Sequence, residues 1–156
     1  MATSLSRRQT VLAGLVAGIV GGLLSDAFLF TVPWISAPYP PPAQAYTDWA
    51  SILFGSVATG ASWAIPAGIA FRLASAVAWA YAYLWASRSQ PQLLTRPIVS
   101  GLAFGVVVWF MTQMMLLPIG KFVFPNQHTF DRDMVAYMVF YGLPVAVIAS
   151  RMVRRG

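Results

Sequence analysis

Residues 11–34 read VLAGLVAGIVGGLLSDAFLFTVPW. One acid, Asp26, interrupts an otherwise uncharged apolar run. About 20 such residues suffice to cross a bilayer as a helix. Arg7 and Arg8 stand just before it. Ser6-Arg7-Arg8-Gln9-Thr10 looks superficially like a twin-arginine export signal. A cleaved signal needs a small-residue site before the mature chain. The nearest one, Ile35-Ser36-Ala37, is followed by Pro38, and the chain beyond it is just as apolar. The stretch therefore reads as a retained first span, about 10–32.

The rest of the chain has the same character. Of 156 residues, 58% are hydrophobic and 9% are charged. A soluble domain carries about 25% charged residues, because its surface must be wetted. The apolar content is enough for four spans of about 20 residues each. There is no cysteine and one histidine. That excludes disulfides, thiol catalysis and thiolate metal sites, and no metal or cofactor is expected. The net charge of +6 comes from arginines at the chain ends and between apolar runs. No basic face with interleaved aromatics is available, so a nucleic-acid partner is not expected. The positive-inside rule accounts for the pattern better.

Gly14, Gly18 and Gly22 recur every fourth residue on the first span. They share one face and let another helix approach closely. The partner is read as a helix of the same bundle, with self-association as the alternative.

Residues 33–42, PWISAPYPPP, cannot continue a helix. The next apolar stretch, Trp49–Ala86, would make a helix about 57 Å long, far beyond the hydrocarbon thickness. Pro66 is the expected break. The expectation is an outer-side segment 33–65 containing an interfacial helix 49–63, then span two at about 66–86. One long helix kinked at Pro66 is the alternative. Trp79, Tyr81, Tyr83 and Trp85 near its end suit an interface belt.

Arg88 and Arg96 flank a short polar turn. Span three follows at about 98–117, with Gly101 and Gly105 at spacing four. Met111, Met114 and Met115 read as gap-filling core residues. Span four runs about 133–150, and Asp133 could cap its start. Arg151, Arg154 and Arg155 follow. The expected fold is all-α: a single integral membrane domain over 1–156, a four-transmembrane-helix antiparallel bundle with an extra interfacial or kinked helical segment before span two. Both termini lie on the cytoplasmic side.

Ionisable residues at span depth are the best functional clues in such a sequence. Asp26 lies about 10 Å inside the outer end of span one, and Arg72 about 9 Å inside that of span two. An ion pair between them would offset part of the burial cost of each. Gln113 and Tyr137 lie near the same level, and His128 in the preceding loop could cap the group. The set Asp26, Arg72, Gln113, Tyr137 and His128 is either a structural tie or an outer-leaflet pocket for a lipid headgroup or small solute.

The run Phe71-Arg72-Leu73-Ala74-Ser75-Ala76-Val77-Ala78-Trp79-Ala80-Tyr81 leads through a polar loop to Pro97. Gly101-Leu102-Ala103-Phe104-Gly105, Trp109, Leu117-Pro118 and Tyr141-Gly142-Leu143-Pro144 follow. This pattern resembles small four-helix bacterial inner-membrane proteins of the YagU-like group, over about residues 10–150. The resemblance implies an inner-membrane location and no established activity. Where that group often carries His, this chain has Arg72, which speaks against a metal or haem there. The functional expectation is a non-catalytic integral inner-membrane protein, an accessory or assembly subunit of a larger complex. Its partners would be membrane lipids and other membrane-protein subunits. The alternatives are a small lipid- or solute-binding or transport protein, and an enzyme acting on a lipid headgroup through Asp26 and His128.

Overall fold

A computed structural model describes residues 7–31, 41–116 and 132–154. Among these residues the chain is helical throughout, with short turns and no strand. Helix α1 spans Arg7–Thr31, α2 Pro42–Phe54, α3 Ala64–Ser89, α4 Gln92–Thr95 and α5 Pro97–Leu116. The last helix, α6, is helical from Arg132, widens into a π-helical segment at Ala136–Gly142 and continues as Leu143–Arg154. Four helices are long and apolar enough to cross a membrane: Arg8–Thr31, Ala64–Ser89, Pro97–Met115 and Arg132–Met152.

The segment before span two differs from the expectation of a helix at 49–63. Helix α2 opens at Pro42, a residue whose fixed φ suits the first helical position and whose missing N–H is not needed there. It closes before Gly55, which takes φ +61°. A short 3-10 turn, Gly55–Ala58, and a second positive-φ glycine, Gly60, complete the break. Only glycine adopts such φ values at little cost. Pro66 therefore does not make the break. It lies in the first turn of α3, where backbone N–H groups have no intrahelical acceptor and Pro is tolerated. Span two consequently starts earlier and ends later than the expected 66–86, and the single kinked helix does not form. With 13 residues, α2 is about 20 Å long and too short to cross the bilayer.

Small residues set the helix contacts. On α1, Gly14 faces the Tyr81 ring, Gly18 the Val77 backbone, and Gly22 Ala76 and Leu73, so residue numbers on α3 fall as those on α1 rise. The glycine face of α1 is thus occupied by α3 of the same chain. The adjacent stripe holds Ala13 and Ala17, fully buried, and Gly21, which meets Tyr141 and Val145 of α6. Gly101 and Gly105 of α5 approach the α6 backbone at Gly142, Leu143 and Met138. The opposite face of α1, including Leu15, Ile19 and Leu23, is exposed and apolar, as a lipid-facing surface requires.

Two side-chain expectations change. Tyr83 is not a belt residue: it is buried, and its hydroxyl donates to the Leu93 carbonyl at 2.8 Å and bonds Ser100 Oγ at 2.9 Å. It pins α3 to α4 and the start of α5. Trp85 does point outward. Met111 and Met114 are exposed on α5 and fill no core gap.

Candidate functional site

Asp26 is the next member of the every-fourth-residue stripe begun by Gly14, Gly18 and Gly22. The stripe turns it toward α3, where Arg72 lies in a matching series with Gly68, Ala76 and Ala80, all buried. Small neighbours let the backbones close in, and the two long side chains fill the space that remains. Arg72 Nη2 stands 3.0 Å from Asp26 Oδ1. Both residues are buried, Arg72 at 4% exposure and Asp26 at 8%.

Every side of the pair meets protein. The same Nη2 donates to Ser25 Oγ at 3.0 Å, and Ser25 Oγ donates to the Gly22 carbonyl at 2.9 Å. The second carboxylate oxygen, Oδ2, accepts from the Tyr46 hydroxyl at 3.2 Å. The guanidinium carbon lies 5.2 Å from the centroid of the Trp49 ring and 5.7 Å from that of Tyr137. Cation–π contacts of this kind gain strength where water is excluded. Tyr137 is hydrogen-bonded to the side chain of Thr112, which is buried on α5. Four long helices and α2 thus contribute to one polar layer.

Helix α2 reaches the layer because its partner backbone is bare at one point. Gly68 leaves room for the Tyr46 carbonyl, and any larger residue would overlap it. Edge-to-face contacts of Phe30 with Tyr46 and of Phe71 with Trp49 hold the two α2 aromatics in place. Tyr46 lies outside the long helices. Its hydroxyl pKa is pushed up to about 12, first by burial and then by the charge and hydrogen bond of Asp26. It stays a donor at any physiological pH.

The structure brings Asp26, Arg72 and Tyr137 together. Gln113 is half-buried one position beyond Thr112, and Thr112 supplies the α5 hydroxyl that Tyr137 bonds. One residue is about 100° of helical rotation, so estimates of depth cannot tell the two apart. His128 lies outside the described residues. Asp133 is described, and its Oδ1 accepts from Arg132 Nε at 2.8 Å.

Ser25, Tyr46, Trp49 and Thr112 were not picked out from the sequence. A signal existed for two of them. Tyr46 and Trp49 stand three apart, so a helix spanning both presents them on one side.

Comparisons with protein-family models, curated proteins and solved structures find no match to this chain.

Proposed function

We propose that the protein is a non-catalytic integral membrane protein of the bacterial inner membrane, acting as an accessory or assembly subunit of a larger complex. Its four spans form an antiparallel bundle, with both termini and the 88–96 turn in the cytoplasm. The descending register of α3 against α1 supports the antiparallel arrangement for that pair. The short α4 connection between α3 and α5 supports it for the next.

One observation carries the functional reading. The Arg72 guanidinium has an aromatic ring at 5.2 Å and another at 5.7 Å, a carboxylate at 3.0 Å, and a serine hydroxyl on the same nitrogen. A headgroup or solute entering this layer would have to displace a side chain already bonded there. The arrangement favours a tie between helices over a carrier site. Catalysis needs a nucleophile or base poised against open space, and Asp26 has an ion-pair partner on one oxygen and a phenol on the other.

Solubilisation from the native membrane in a mild detergent tests the reading. The expected result is one or more membrane proteins co-purifying in fixed ratio with the chain. A homogeneous preparation of this chain alone, carrying a bound solute or lipid that Tyr46→Phe releases, would establish the carrier instead.

A further inference from the structure

Charge is distributed unevenly along this chain. Its acids are Asp26, Asp48, Asp131 and Asp133. Arg7 and Arg8 open α1, Arg88 and Arg96 flank α4, and Arg151, Arg154 and Arg155 close the chain. No acid lies within any of those stretches.

The fold gathers Arg8, Arg88, Arg96 and Arg151 at one end. The Tyr81 hydroxyl donates to the Val11 carbonyl at 2.9 Å, tying the start of α1 to the later half of α3. Helix α4 packs against the end of α6. Leu93, Leu94 and Met152 close over the same core cluster that holds Ala13 and Leu84. Arg8, Arg88, Arg96 and Arg151 are all exposed there.

Large apolar side chains stand among these arginines. Trp85 is 74% exposed and lies one turn before Arg88, so the two share a face. Ile98 and Val99, at 62% and 68%, lie two and three residues after Arg96. A soluble acidic partner would match the charges but leave the apolar groups in water. A phospholipid with a net negative headgroup matches both: its phosphate meets guanidinium groups, which bind phosphate through two parallel hydrogen bonds, and its acyl chains cover the apolar groups. Clusters of about four to eight basic residues beside the ends of membrane helices are a pattern associated with binding such lipids.

We propose that this arginine-bearing end is a binding surface for anionic phospholipids, centred on the turn between Arg88 and Arg96. Binding is electrostatic and selects headgroup charge rather than chain type. The surface is separate from the Asp26–Arg72 layer and does not depend on the accessory role.

Native mass spectrometry of the full-length protein in detergent, titrated with equimolar phosphatidylglycerol and phosphatidylethanolamine of the same chains, tests this. The wild type should retain phosphatidylglycerol preferentially. Neutralising one arginine costs roughly fivefold in affinity, so the triple variant Arg88→Gln/Arg96→Gln/Arg151→Gln should lose roughly a hundredfold. Replacing the same three by Lys should keep most of the preference. A binding measurement on the unaltered protein in the two lipids stands beside the variants, since the arginines also direct insertion. The preference should collapse between about 0.15 M and 1 M salt, as the screening length falls from about 8 Å to 3 Å. Equal retention of the two lipids, a preference that salt leaves unchanged, or a triple Gln variant that binds as the wild type does would each overturn the proposal.

Discussion

Removing the Asp26 carboxylate takes a counter-charge at 3.0 Å away from a buried guanidinium that stands near two aromatic rings. Arginine keeps its proton in any protein environment, so this charge has no way to disappear. Asp26→Ala should therefore cost about 3–5 kcal/mol, the range for breaking one side of a buried pair. Arg72→Ala should cost less, because a lone carboxyl can take up a proton and become neutral. The double replacement should recover part of the loss. Thermal unfolding in detergent across this cycle reads the coupling directly. Additive single effects, within about 0.5 kcal/mol, would mean that the two residues do not stabilise one another. Tyr46 offers an independent check through pH. Its hydroxyl titrates at about 12 in the folded protein, against about 10 for a free tyrosine. The folded state thus holds that proton more tightly, so the contribution is complete below about pH 10 and fades as pH climbs through about 12. Tyr46→Phe should flatten that part of the alkaline decline. An unchanged alkaline profile in the variant would show that the hydroxyl contributes nothing.

Helix α2 packs against α3 beside the polar layer, and its position depends on Gly68. Gly68→Ala sets a methyl against the Tyr46 carbonyl oxygen. Backbone cannot yield as a side-chain tip can, so α2 must shift, at about 1–3 kcal/mol or more. Trp49 moves with it. Tryptophan fluorescence and the melting temperature should change together, and a variant with wild-type values of both would contradict the packing. Pro66→Ala should do little by comparison, within about 1 kcal/mol, because Pro66 lies in a first turn and the glycines at 55 and 60 make the break. A large loss of helix continuity or stability in Pro66→Ala would reverse that assignment. These two positions also show what the sequence makes legible. The existence of a break was forced by the length of the Trp49–Ala86 run. Its place was not, since Pro is the stronger breaker in isolation but is tolerated in a first helical turn. The start of α2 was hidden for the same reason: Pro42 ends a proline-rich run and also begins a helix. With α2 misplaced, Tyr46 and Trp49 could not be assigned to the pair.

At the scale of the whole molecule, the four long helices and the approximate level of Asp26 and Arg72 were legible, because both follow from length and rise alone. Contacts between helices were legible only where small residues recur every fourth position, as with Gly14, Gly18 and Gly22 against α3. A chain that crosses the membrane four times in this order puts α2 on one side and the arginine-flanked turn on the other. The chain has no cysteine, so a single introduced thiol reports its own side without background. Thr47→Cys and Ser62→Cys lie at exposed or half-exposed positions before α3, and Gln90→Cys lies in the exposed turn after it. In intact cells, a membrane-impermeant maleimide should label the first two and leave Gln90→Cys unmodified until the cells are broken open. Labelling of Gln90→Cys from outside, or of all three from the same side, would contradict this arrangement.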